Sequence, residues 1–193
     1  MNLKSKTVLG IIVVILAVFG ASIIYTNPFE AEPSQNVVGG DENQSHSENE
    51  SIQVGTSLGE YAPNFNLTTV EGEKFSLKEY RGQVVVLDFM ATWCGPCKLE
   101  MEHLKDIHSS YSRNKITIMS IDVSPDESDK QIRDFKEEYE AGWIFASGPK
   151  VGLEYKVTGI PTLYMINAEG KIVYKKVGLT DSSKLSKKID EYL

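Results

Sequence analysis

Residues Gln83–Lys98 read QVVVLDFMATWCGPCK, and this stretch decides the fold. Val84, Val85, Val86, Leu87, Phe89 and Met90 form an apolar run rich in β-branched residues and too short for an independent helix. A strand covered on both faces has this pattern. Trp93-Cys94-Gly95-Pro96-Cys97 follows, and then Cys97, Met101, Leu104, Ile107 and Tyr111 recur at helical spacing. Cys94 therefore falls at a helix N-terminus, where unpaired N–H groups and the helix dipole favour a thiolate. Cys97, one turn later, faces the same side and can close a disulfide with it. Pro96 fits a first turn, where the N–H that proline lacks would have had no intrahelical partner. The chemistry implied is thiol–disulfide exchange, with Cys94 attacking and Cys97 resolving. A redox-active Cys94–Cys97 disulfide then stands in place of any separate cofactor.

With Asp88 inside the strand and Gly159-Ile160-Pro161-Thr162 far downstream, WCGPCK resembles thioredoxin. Ala62-Pro63-Asn64-Phe65, the Gly72 turn, Phe75-Ser76-Leu77 and Arg81-Gly82 resemble more narrowly the membrane-anchored TlpA/ResA-like branch of thiol–disulfide oxidoreductases. The resemblance covers residues 52–193. It implies an α/β thioredoxin fold with an N-terminal β-hairpin extension and an insertion before a cis proline at Ile160-Pro161. It also implies that Asp88 exchanges a proton with Cys97, and it groups Asp88 with Cys94 and Cys97 as catalytic. Trp93, Gly95, Pro96, Gly159, Ile160 and Pro161 would form the surface on which an extended substrate segment docks by strand addition.

Asp88 is informative without the resemblance. A carboxylate inside an apolar strand costs several kcal/mol if charged and unpaired, so its pKa should be raised. The alternative is a strand-end aspartate bonded to backbone. Departures from the family pattern are visible too. Met90 stands where thioredoxins have Trp, Glu102 where both relatives kink the helix with Pro, and Ile118 at the position of the lysine that pairs with the buried aspartate. Gly95 and Asp88 replace the Glu and Asn common in ResA-like proteins, so the resemblance does not extend to a narrow role in cytochrome c maturation.

The N-terminal quarter has a different composition. Val8–Tyr25 is an apolar run of 18 residues between Lys6 and Glu30, and a bilayer core takes about 20. Residues 7–25 are expected to lie in the lipid bilayer, making 1–25 a single-pass anchor. Lys4 and Lys6 before the run, with acidic residues after it, predict a cell-membrane protein whose C-terminal domain is extracytoplasmic. A cleaved signal peptide is the rival, with small residues at Gly20–Ser22. Residues 26–51 are rich in Asn, Ser, Glu, Gly and Pro and read as a flexible acidic tether. Lys4 and Lys6 against Glu30, Glu32, Asp41, Glu42, Glu48 and Glu50 leave −4 of the chain's −7 charge in the first 51 residues. That balance argues against a nucleic-acid partner.

From residue 52 the pattern is globular. Phe65–Thr69 and Lys74–Ser76 read as a hairpin, Lys115–Ile121 as a second buried strand, and Asp122–Asp129 as a polar loop. Ser128 with Gln131 caps a helix whose inner face is Ile132, Phe135 and Tyr139. Trp143–Ala146 adds a short strand and Val151–Tyr155 a short helix. Thr162–Asn167 and Lys171–Val177 form a hairpin, and Leu185, Ile189 and Leu193 mark the closing helix. This alternation predicts a mixed sheet with helices on both faces.

The chain has 2 cysteines, both in the motif, so no structural disulfide framework exists. One CxxC supplies two ligands where structural zinc takes four, and His103 and His108 lie too far along the helix to complete a site; no metal is expected. The leading reading is an exported reductant of protein disulfides fed by a membrane-embedded electron donor. Its rivals are a dedicated oxidant, a non-catalytic binding module, and a peroxidase. The last shares the Gly-x-x-Ala-Pro-x-Phe opening, but peroxiredoxins need Thr where Ala91 stands.

Overall fold

The computed structural model describes residues 53–193. The expected anchor over residues 1–25 and tether over residues 26–51 lie outside the described residues. Among the described residues no helix is long and apolar enough to cross a membrane.

Two short strands come first. β1 (Asn66–Thr68) and β2 (Lys74–Ser76) pair antiparallel around a turn in which Gly72 adopts φ +94°, open to glycine at no steric cost. Ser76 then caps a 3-10 turn, Leu77–Tyr80, with Glu79 reaching back to the Ser76 N–H. β3 (Val84–Met90) follows, with all 7 residues buried. It runs parallel to β4 (Ile116–Asp122), and the crossover such a pair requires is α1 (Gly95–Ser110). α2 (Asp129–Glu138) starts from the Ser128–Gln131 capping box. β5 (Ile144–Ser147) and α3 (Pro149–Glu154) lead to β6 (Thr162–Ile166) and β7 (Ile172–Val177), and α4 (Ser182–Asp190) closes the chain. The sheet order is β5-β4-β3-β6-β7.

Strand alternation in β3 sorts the core into two layers. Val84, Val86 and Met90 pack with Met101, Leu104 and Ile107 of α1, Ile132 and Phe135 of α2, and Leu185 and Ile189 of α4. Val85, Leu87 and Phe89 pack on the other side with Phe65, Phe75, Leu77, Val151 and Tyr155. The result is the expected mixed sheet with helices on both faces.

Boundaries differ from expectation at two places that matter. β4 runs one residue further than the apolar pattern, so Asp122 is a fully buried strand residue and not the start of a loop. Its alternation carries it onto the same face as Ile118 and Ser120. The short helix begins at Pro149 rather than Val151, because proline's fixed φ suits a first helical position.

Candidate active site

β3 delivers the chain to the sheet's end, and Ala91–Trp93 turns it into α1. Cys94 is the N-cap of that helix, and its Sγ accepts the Cys97 backbone N–H at 3.1 Å. Cys94 and Cys97 are disulfide-bonded, with Cα atoms 5.2 Å apart. The sulfurs therefore sit where the helix presents its unpaired donors and positive dipole end. Both cysteines are buried, while Gly95 and Pro96 between them are exposed. Trp93, at 68% exposure, stands out from the surface beside them.

An open groove runs past this point, lined by Ala91, Trp93, Val123–Asp126, Val157, Gly159 and Ile160. The Ile160–Pro161 bond is cis. The loop that carries it is held at both ends: Thr162 Oγ1 donates to Gly159 O at 2.6 Å, and Gly178 N donates to Pro161 O at 2.7 Å. Trp93, Gly159 and Ile160, taken from distant parts of the sequence, thus share one surface feature.

Beneath the first turns of α1 lies a buried carboxyl cluster. Asp88 is fully buried, and its register partner on β4 is Ser120, not Ile118, which sits opposite Val86. Ser120 Oγ donates to Asp88 Oδ2 at 3.1 Å and accepts from Trp143 Nε1 at 3.0 Å. Asp88 Oδ1 has no partner. Burial pushes the Asp88 carboxyl up to about 8, and the nearby Glu100 charge adds to this against the Ser120 hydrogen bond. Glu100 comes from α1, one turn beyond Cys97, and is itself fully buried. Its Oε2 accepts the Thr180 backbone N–H at 2.7 Å, while Oε1 is unpartnered. Burial raises it to about 7 against the Thr180 bond and the His103 charge. His103 in turn meets Thr180 O at 2.6 Å.

Sequence reasoning passed over Glu100. A signal existed: it lies three residues after Cys97 and four before Leu104, a charged residue on an apolar helical stripe. Asp122 was also missed. It pairs with Met90 across the strands and is fully buried, with Ser124 N donating to Oδ1 at 2.9 Å. Glu127, from the loop before α2, accepts the Thr92 backbone N–H at 3.1 Å and the Thr92 hydroxyl. The two histidines of α1 are held apart from the cysteines, His103 at Thr180 and His108 against the Trp143 ring at 5.3 Å. Among the described residues no cluster of three or more His, Cys, Asp or Glu is placed to hold a metal.

Comparison with known proteins places this arrangement in a family. Residues 58–175 match the AhpC/TSA family. The chain is 33% identical over 140 residues to the thioredoxin-like protein YneN of Bacillus subtilis, covering 72% of this chain and 82% of that one. It is 34% identical over 123 residues to the thiol–disulfide oxidoreductase ResA of Bacillus cereus, covering 63% and 70%. Its structure is similar to a candidate thiol:disulfide interchange protein DsbE from Chlorobium tepidum, with TM-score 0.64 and 26% identity over 70% of this chain and 97% of that one. The chain belongs to the AhpC/TSA family, among its thioredoxin-like thiol–disulfide oxidoreductases.

Proposed function

We propose that the domain is a membrane-tethered, extracytoplasmic reductant of protein disulfides acting through Cys94 and Cys97. The observation that carries this reading is the placement of Cys94 as the cap of α1, bonded to Cys97 and next to the groove of Trp93, Gly159 and Ile160. In the reduced protein the Cys94 thiolate attacks one sulfur of a substrate disulfide and expels the other as a thiolate. Cys97 then attacks Cys94 Sγ in the mixed disulfide, releasing the second substrate thiolate and closing Cys94–Cys97. A substrate segment lies extended in the groove against the backbone of Gly159–Pro161, with Trp93, Gly95 and Pro96 forming the rim.

Cys97 must lose a proton in the second step. Asp88, raised to about 8, lies near the about 8.5 of an ordinary thiol, so transfer between them through water is close to balanced, which is where acid–base catalysis is most effective. Glu100 keeps a second titratable carboxyl beside Asp88 and so holds its affinity for the proton high.

The resulting disulfide is reduced by a membrane-embedded dithiol donor, with residues 7–25 holding the domain at the bilayer. The reduction potential of the pair in the full-length chain tests the direction. A value near about −270 mV supports a reductant, and one near about −120 mV means the protein forms disulfides instead. N-terminal sequencing of the mature protein tests the anchor, which is lost if the chain begins near Ala21. The AhpC/TSA match favours one second reading, a peroxidase. Turnover of hydrogen peroxide by the purified chain, with no reduction of an insulin-type disulfide, would establish it.

A further inference from the structure

A third buried carboxyl group on this face, Asp122, lies outside the exchange steps. Asp122 ends β4 at the base of the active-site loop, and Val123 N donates to Met90 O at 2.9 Å, locking the two strand ends together. Asp122 Oδ2 is buried and meets no donor in the protein. Besides the Ser124 N–H, the groups within hydrogen-bonding reach of this carboxyl are the side chain of Glu127 and the Thr92 backbone N–H. Two carboxyl groups can bond only if one keeps a proton. Glu127 uses its remaining capacity on Thr92, taking both its N–H and its hydroxyl. Thr92 is two residues before Cys94 and adjacent to the exposed Trp93.

We propose that Asp122 and Glu127 are positioning residues for exchange: a proton shared between their carboxyls holds Glu127 on Thr92 and thereby fixes the Thr92–Trp93 rim beside Cys94. This rests on the exchange reading above. With the proton present, Glu127 is anchored both to Asp122 and to Thr92. When it is lost, the buried Asp122 carboxylate and the half-buried Glu127 carboxylate repel, and Glu127 swings toward water and releases Thr92.

The Thr92 backbone N–H also faces Asp122 and, like the Ser124 N–H, works against the rise in its pKa, but it is given to Glu127 at 3.1 Å. The remaining groups around Asp122 do not supply the missing donor. β3 brings Met90 into register and Asp88 one pleat away on the same face, and β5 brings Ser147. The loop contributes Ser124, whose N–H is spent on Oδ1, together with Asp126 and Asp129, which are exposed. Lys98 of α1 lines a shallow surface groove with Thr92, Trp93, Gln131, Asp134 and Glu138, and is itself exposed. Burial, with Glu127 next in effect, pushes the Asp122 carboxyl up to about 8. The clamp is therefore closed at neutral pH and opens in mildly alkaline solution.

The test uses the full-length chain and two independent readouts. In the first, the Thr92 amide resonance is followed from pH 6 to 9 in the wild type and in Asp122→Asn, whose amide can donate to Glu127 but does not titrate. A transition near pH 8 in the wild type that vanishes in the variant is expected; the same transition in both overturns the shared proton. In the second, insulin disulfide reduction is measured for Glu127→Ala and Glu127→Gln. Displacing a group near a reacting centre costs up to about 10²-fold, so Glu127→Ala should lower kcat/KM by roughly ten- to a hundredfold. Glu127→Gln keeps one of the two oxygens that accept from Thr92 and gains an NH2 that can donate to Asp122, so it should restore part of the loss at neutral pH. Equal rates for Glu127→Ala and wild type overturn the positioning role. If the wild type reduces no disulfide while the Thr92 transition behaves as expected, the exchange reading fails and the carboxyl pair stands.

Discussion

On the side of the sheet that faces α3, the strands bury Val85, Leu87, Phe89, Met119, Ile121, Tyr164 and Ile166. The polar atoms that enter this layer are bonded: Tyr155 donates to Pro63 O at 2.7 Å, and Tyr164 donates to Tyr155 O at 2.6 Å. Phe65, Phe75, Phe89, Tyr155 and Tyr164 meet edge-on or tilted, with centroids 5.1–6.1 Å apart. On the opposite side the same strands bury Asp88, Ser120 and Asp122, and α1 adds Glu100. Among the described residues, the buried side-chain oxygens without a partner are Asp88 Oδ1, Glu100 Oε1, Asp122 Oδ2 and Thr180 Oγ1. None belongs to the aromatic layer. An unpaired buried oxygen lowers stability, so the aromatic side keeps its buried polar atoms satisfied, while the other side, which also buries the apolar faces of α1, α2 and α4, gives up some of that stability to keep titratable groups buried.

The division is broken most completely at the cysteines. Cys94→Ala should reduce disulfide reduction to the uncatalysed rate with the fold intact by circular dichroism; retained turnover would move the chemistry away from this face. The aromatic side should show the reverse behaviour. Phe89→Ala removes a fully buried ring and should cost about 3–5 kcal/mol in denaturant unfolding, with little change in the exchange rate of the molecules that remain folded. A loss below about 1 kcal/mol would mean that this layer is not what holds the sheet.

Stability against pH separates the two sides next. Asp88 and Asp122 are raised to about 8 and Glu100 to about 7, above the about 4 of carboxyls in an unfolded chain. Between these values the folded domain binds more protons than the unfolded chain, so stability falls as pH rises through the window. The drop from pH 5 to 8 should be on the order of a few kcal/mol, and Asp88→Asn should flatten it. The same substitution should slow exchange at neutral pH on the order of 10²-fold, the lower end of what a positioned acid–base group contributes. A pH-independent unfolding midpoint would show the cluster to be solvated. The smallest effect belongs to Ser120→Ala, which strips Asp88 and the Trp143 indole of a partner at a cost of about 1–3 kcal/mol. Because the Ser120 bond lowers the Asp88 pKa, its loss should move the pH profile of exchange upward; an unmoved profile would separate Asp88 from the reaction.

Local chemistry made much of this legible from the chain alone. The run Val84–Met90 could only be a covered strand, Cys94 and Cys97 were placed by helix spacing, and Ser76 and Ser128 announced their caps three residues ahead of Glu79 and Gln131. Asp88 stood out because a charge interrupted an apolar run. Glu100 and Asp122 stood out less: Lys98 and Glu102 lie two residues to either side of one and Ser124 two residues beyond the other, so each resembles an ordinary surface residue until the helical or strand spacing is followed.

Periodicity and capping are properties of a few consecutive residues, so the sequence determined the strands, the helices and the site of the cysteines. Which carboxyls are buried depends on what packs over them. Ser120 rather than Ile118 faces Asp88 because of the β3–β4 register, Glu100 is sealed by the Thr180 backbone 80 residues away, and Thr92 meets Glu127 across 35. Such contacts exist only once the sheet closes, and only the tertiary structure could decide them.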